Sequence, residues 1–212
     1  MYVKKIMIAA ALLLMSTMAS AQARAVFKAG INIADYWGDN TEQLSSRIGP
    51  RIGLGVEIPF SKGSSWSVVP SLYFTSKGGK EDARRIKTKT KVCANYLSVP
   101  VNVQFRHKLD NNCAFSVAFG PYFAYGVGGK STISGWIFDN ISDLRTDTST
   151  FGKEGADFNR FDTGLNCEIG LEYQDFILSM NCDLGLTACH DELNGQKYPK
   201  NRSLGLTLGH RF

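Results

Sequence analysis

The chain has 212 residues, a formal net charge of +5 and 20% charged residues, a size that fits one exported domain. This modest charge identifies no partner and gives no support to nucleic-acid binding. The five cysteines lack CxxC spacing and the three histidines lie far apart, so we predict no metal site and no cofactor.

The N-terminus combines Lys4 and Lys5 with an apolar run over 6–19 and small residues at 19–21. This pattern is typical of a secretory signal peptide. We predict a signal peptide over 1–21 and a mature domain over 22–212, with cleavage after Ala23 as the alternative. A retained anchor is disfavoured because the run is shorter than the ~20 residues that span a bilayer. A lipoprotein is disfavoured because no cysteine follows the cleavage point.

Alternation of apolar and polar residues dominates the mature part, as in β-strands with one apolar face. It is clearest over 48–60, where Ile52 and Leu54 share one face while Arg51 and Gly53 share the other. Eight segments alternate in this way, and each reaches the ~9–11 residues of a tilted transmembrane strand. They are 26–34, 48–60, 65–76, 97–106, 113–127, 158–173, 176–187 and 203–212.

The connections between these segments alternate in length. Those at 35–47, 77–92, 128–157 and 188–200 are long, whereas those at 61–64, 107–112 and 174–175 are short. Short periplasmic turns and long extracellular loops are typical of outer-membrane β-barrels. An aromatic residue also stands at the turn end of each strand, as expected where hydrocarbon meets headgroups: Phe27, Phe60, Trp66, Phe105, Phe115, Tyr173, Phe176 and Phe212.

We therefore predict an all-β fold, an eight-stranded antiparallel transmembrane β-barrel in the cell outer membrane. A soluble ligand-binding barrel is the alternative, but its outer face would be rich in solvated charges. Here the polar face is rich in glycine and suits a narrow interior. The alternation also places a set of charged residues in that interior. They would form a salt-bridged plug, or less readily a path for ions. These residues are Lys28, Arg51, Glu57, Arg106, Asp162, Glu168, Glu172, Asp183 and Arg211.

Several short motifs follow one another along the mature chain, among them Ala29-Gly30-Ile31-Asn32, Gly53-Leu54-Gly55-Val56-Glu57, Tyr96-Leu97-Ser98-Val99-Pro100-Val101 and the closing Leu208-Gly209-His210-Arg211-Phe212. In this order they resemble the PorT-like outer-membrane β-barrel family. The resemblance implies a fold and a location, without catalytic residues. One relative takes part in protein secretion, and nothing in these residues selects that role.

Two further surface features point to partners. The predicted loop 77–92 is basic and would lie near lipopolysaccharide phosphates or an envelope protein, with Lys77, Lys80, Arg84, Arg85, Lys87, Lys89 and Lys91 as the candidate contacts. A merely solvated, mobile loop is the equal alternative. The last strand resembles the signal read by the barrel-assembly machinery, through Leu204, Leu206, Leu208, His210 and Phe212. Outer-membrane lipid completes the expected partners.

Signals of catalysis are weak. The run Gly126–Ser131 lacks the first glycine of a phosphate-binding loop, and His190-Asp191 has no nucleophile motif or second acid–base pair beside it. We predict a non-enzymatic surface or envelope protein with a packed, non-porin lumen that acts through its long loops. The alternative is a narrow transport or secretion-associated component.

Overall fold

The computed structural model describes residues 23–38, 44–83, 88–135, 144–151, 158–189 and 199–212. The predicted signal peptide lies outside the described residues. So do Arg84, Arg85 and Lys87 of the basic segment, and the pair His190-Asp191.

All regular structure in the described residues is β-strand, as the alternating pattern predicted. The strands are β1 Arg24–Trp37, β2 Leu44–Pro59, β3 Trp66–Lys77, β4 Gly79–Ala83, β5 Thr88–Lys108, β6 Cys113–Gly135, β7 Leu144–Ser149, β8 Phe161–Tyr173, β9 Phe176–Ala188 and β10 Lys200–Arg211.

The sheet closes on itself as an eight-stranded antiparallel barrel, which confirms the predicted fold class. β1 pairs with β2 on one side and with the last strand, β10, on the other, from Val26↔Arg211 to Trp37↔Lys200. The remaining neighbours are β2–β3, β3–β5, β5–β6, β6–β8, β8–β9 and β9–β10. Closure leaves no strand edge among these eight strands, as a membrane barrel requires because lipid supplies no hydrogen bonds to a bare edge.

Two of the ten strands extend the barrel wall rather than add to it. β4 follows β3 after Gly78, pairs with β2 and β5 as β3 does, and so continues the same wall position. Gly78 allows the bend because its φ of 124° is a conformation that side chains rarely adopt. β7 precedes β8 and pairs with β6, the strand that β8 also joins.

The structure differs from the sequence prediction in strand length. The segments predicted at 97–106 and 113–127 are the turn-end parts of β5 and β6, which run over Thr88–Lys108 and Cys113–Gly135 and so extend much further at the loop end. Much of the predicted long loops 77–92 and 128–157 is therefore strand. We call the resulting structure, made of β4, β7 and the adjoining ends of β5 and β6, the protruding sheet. The apolar alternation stops where the wall leaves the predicted lipid zone, so the pattern did not reveal it.

The short turns lie together at one end of the barrel, with the two ends of the described chain. β8 and β9 are joined by Gln174-Asp175, where Gln174 has a φ of 54°. In the turn before β6, the backbone N–H groups of Asn112 and Cys113 donate to the Asp110 carboxylate and lower its pKa. These local bonds fix the tight turn that the sequence predicted.

Side chains alternate between an apolar outer face and a polar inner face. Outward Leu54 is 61% exposed, whereas inward Arg51 is 2% exposed. The aromatic residues at the turn end point outward, fully or partly exposed. No helix of the described residues is long and apolar enough to cross a membrane.

Candidate functional site

The interior of the barrel holds the main cluster of charged groups. All nine charges predicted for the interior lie there, and they form ion pairs with one another or with Lys77. Five cations, counting Lys77, face five carboxylates. The pairs form three layers along the barrel, which we describe from the loop end to the turn end.

The upper layer is centred on Lys77, a residue of the predicted basic loop 77–92. The structure places this residue at the end of β3 with its side chain buried inside the barrel. Its Nζ donates to Asp162 Oδ2 at 2.9 Å and lies 4.3 Å from the centre of the Tyr122 ring. The Tyr122 hydroxyl donates to the same carboxylate oxygen at 3.1 Å. Lys77 therefore neutralises Asp162 inside the barrel and is no surface contact.

The middle layer is centred on Asp183, a buried carboxylate of β9. Arg51 NH1 donates to its Oδ2 at 2.8 Å, and Asn166 Nδ2 donates to its Oδ1 at 2.5 Å. The Arg51 guanidinium also lies over the Tyr73 ring, 4.4 Å from its centre. Next to this group Lys28 pairs with Glu168. The asparagine was not predicted, although its inward parity beside Asp183 would have indicated it.

The lower layer ties the last strand to the rest of the wall. Arg211 Nε donates to Glu57 at 2.9 Å, and its two terminal nitrogens donate to both oxygens of Glu172 at 2.9 Å. Arg106 Nε donates to Glu172 as well, at 2.5 Å. One guanidinium thus connects β10 with β2 and β8, and through Glu172 with β5.

Among the described side chains, a cavity of about 10 Å³ lies in the lower half of the interior, bordered by Lys28, Tyr73, Glu172 and Arg211. That volume accommodates roughly one water molecule. Inward glycines allow the dense packing: a Cβ on Gly53 would stand 2.4 Å from the Tyr73 ring. The interior is filled by side chains, as expected for a barrel of eight strands.

Phe151, two residues after β7, covers the loop end of the described interior. The ring of Phe151 is buried, packs edge-on against Tyr96 at 5.4 Å and lies over Gly126, where a Cβ would meet it at 2.4 Å. The guanidinium of Arg160 lies over the Phe151 ring, 5.6 Å from its centre, and its Nη2 donates to the Phe151 carbonyl. Near this cover, burial raises the pKa of the Cys189 thiol.

Those of the other predicted contact residues whose side chains the structure describes lie on the outside. Lys80 and Lys91 are exposed on β4 and β5, whereas Lys89 belongs to β5 but its side chain is not described. Leu204, Leu206 and Leu208 of β10 are exposed, as is Phe212 directly after it. His210 is partly exposed, and its ring lies 4.7 Å from that of Phe212. Within the described ranges, no group of histidine, cysteine or acidic side chains could hold a metal ion.

Comparison with known proteins adds a family match. Residues 18–191 match the model of the "Outer membrane protein beta-barrel domain" family. No curated protein sequence matches the chain significantly.

Three solved barrels show loose structural similarity. Ail of Yersinia pestis has 16% identity and a TM-score of 0.44, with 90% of this chain and 99% of that chain covered. Neisserial surface protein A has 11% identity and a TM-score of 0.47, over 89% and 97%. The N-terminal β-barrel domain of Pseudomonas aeruginosa OprF has 13% identity and a TM-score of 0.36, over 91% and 98%.

Proposed function

Because the chain belongs to the outer membrane protein beta-barrel domain family, we propose that it is a closed, non-conducting envelope barrel that acts through its extracellular loops. The protein is an outer-membrane barrel. The proposal adds that the interior is a structural plug and that contacts with partners are made outside it.

One observation carries this proposal: the charged interior is internally neutralised and packed. A conducting pore needs a continuous hydrated path, but Arg51, Lys77, Asp162 and Asp183 are each at most 2% exposed and their charges are paired across the lumen. Charges that are already paired and desolvated do not attract passing ions. A large eight-stranded lumen is also geometrically excluded.

Single-channel recording in planar bilayers tests the proposal directly. We expect no steady openings for the wild-type barrel. A variant that empties the upper and middle layers, Arg51→Ala with Lys77→Ala, should conduct more than the wild type, because it removes two large side chains and leaves two carboxylates in a wider lumen. Steady openings of the wild type would instead favour the alternative, a narrow transport or secretion-associated component, which includes the role of the PorT-like relative.

Export and assembly complete the proposal. Residues 1–21 would direct export and be removed, and the outward residues of β10 would be recognised by the barrel-assembly machinery before they contact lipid. Their exposure on the outer face supports both steps, since recognition and later lipid contact need the same apolar surface. The proposal includes no enzymatic activity, because the charged groups of the interior are committed to ion pairs and shielded from substrates.

A further inference from the structure

Three exposed lysines lie together on the outer surface of the protruding sheet. Lys80 of β4 stands directly opposite Lys91 of β5, and Lys130 of β6 stands opposite Cys93, two residues from Lys91. All three are exposed, while the alternating neighbours Gly79 and Ser131 are buried. The lysines therefore share the face that continues the lipid-facing surface of the barrel.

The strand register places like charges side by side on this face. Like charges directly opposite in neighbouring strands destabilise a sheet, yet in the described part of the chain no ion pair involves Lys80, Lys91 or Lys130. The segment from Lys80 to Lys91 has six cations and two carboxylates, a net charge of +4. Such a surface is favourable when an external anion offsets the repulsion.

The height of the lysines above the apolar zone indicates which anion is available. On β5 the outward residues change from Val99 and Leu97 to Asn95, Cys93 and Lys91. With ~3.4 Å per residue and a strand tilt of ~40°, Lys91 lies about 15 Å above Leu97 and Lys130 about 10 Å. Polar headgroups occupy roughly the first 5–8 Å beyond the hydrocarbon. The lysines thus stand at the level of a large headgroup's outer part.

We propose that Lys80, Lys91 and Lys130 form a binding site for the phosphorylated, acidic sugar headgroup of an outer-leaflet glycolipid. The continuity of this face with the lipid-facing wall favours a membrane-anchored anion over a soluble one, because the acyl chains would pack on Val99 and Val101 directly below. The strand register brings Lys130 close to Lys80 and Lys91, although the sequence alone did not suggest Lys130 as a member of the site. A conducting barrel could carry the same site, so this inference stands apart from the proposed function.

Titration of the detergent-purified barrel with bisphosphorylated lipid A that carries its acidic core sugars tests the site. We expect the triple variant Lys80→Gln, Lys91→Gln, Lys130→Gln to bind at least about tenfold more weakly than the wild type. The variant removes a repulsion, so it should fold at least as well, and the triple change to Arg should keep most of the affinity. The wild-type affinity should fall steeply with added salt.

A matched control removes three charges at the other end of the barrel, by Arg24→Gln, Lys62→Gln and Lys108→Gln, all at exposed positions. This control should bind as the wild type does. Unchanged binding by the lysine variant, or an equal loss in the control, overturns the site. If soluble inorganic pyrophosphate competes as well as the glycolipid itself binds, the site recognises a soluble anion and the lipid assignment is wrong.

Discussion

Lys77 shows how strongly one interior residue constrains the barrel. Its ammonium is buried between Asp162 and the Tyr122 ring, and Asp183 lies 3.9 Å away. Asp183 has Arg51 as a second cation, whereas among the described residues Asp162 keeps only neutral donors once Lys77 is removed. Removal of the lysine therefore leaves one buried carboxylate without a countercharge.

We expect Lys77→Met to lower the free energy of unfolding by about 3–5 kcal/mol, the usual cost of removing one partner of a buried ion pair. The double variant Lys77→Met, Asp162→Asn should recover part of this loss, because the remaining groups are then neutral. Urea unfolding in lipid vesicles measures both. The exposed Lys80→Met, on the next strand, should change stability by less than about 0.5 kcal/mol. Equal effects of the two lysine changes would contradict the assignment of Lys77 to the interior.

Residue parity could have placed Lys77 correctly. Ser71, Tyr73 and Thr75 of β3 all point inward, and Lys77 continues that series. Charge composition favoured the basic loop instead, because several cations follow Lys77 closely in the sequence. The ion-pair partner of Lys77 could not be predicted from the sequence, because Asp162 comes from a strand that faces β3 only across the closed interior.

At the scale of elements, the lipid-facing strands were predictable and the protruding sheet was not. Apolar alternation exists because one face of each strand contacts lipid and the other a polar interior. Apolar alternation is expected only where the outer face contacts lipid, so it ends where β4, β7 and the ends of β5 and β6 continue the wall beyond the lipid-facing strands. β4 and β7 are short strands that form by pairing with longer neighbouring strands. A single sequence does not show this pairing.

The β8–β9 hairpin carries a pair of thiols whose state we predict. Its register follows from the tight turn at Gln174-Asp175 and puts Cys167 directly opposite Cys182 on the outer face. Directly opposed residues have Cβ atoms ~4.5–5.5 Å apart, wider than the ~3.5–4.5 Å of a relaxed disulfide. Both cysteines are free in the structure. We expect them to remain free thiols that contact lipid as small apolar groups.

Mass spectrometry of the unreduced protein, alkylated in denaturant, measures this state. Two separately alkylated peptides are expected, and their yield should match that from a sample reduced beforehand. The double variant Cys167→Ala, Cys182→Ala should keep the unfolding temperature nearly unchanged, because the turn sets the register. A linked 167–182 peptide would contradict the prediction and would make the cross-link part of what fixes the hairpin.

At the scale of the whole molecule, pairing between the first and last strands closes the barrel. The backbone ladder between β1 and β10 supplies the seam, and Arg211 strengthens it from inside by bonds to Glu57 and Glu172 on strands either side. In a closed barrel all backbone groups are hydrogen-bonded within the wall. No strand edge is therefore exposed at which detergent could begin to unfold the protein. Electrophoretic migration should therefore differ between unboiled and boiled samples.

The contribution of Arg211 to closure can be measured as the temperature at which the folded band converts to the unfolded one. Arg211→Met should lower that temperature, because it leaves Glu57 without its ion-pair partner and frees β10 from β2 and β8. Arg202→Met is the matched control: it removes the same side chain from the same strand, but at an exposed outward position paired with Asp35, where ion pairs contribute little. Its conversion temperature should stay near that of the wild type. Equal shifts for the two variants would show that the inner ion pairs do not hold the seam, and co-migration of boiled and unboiled wild type would contradict closure itself.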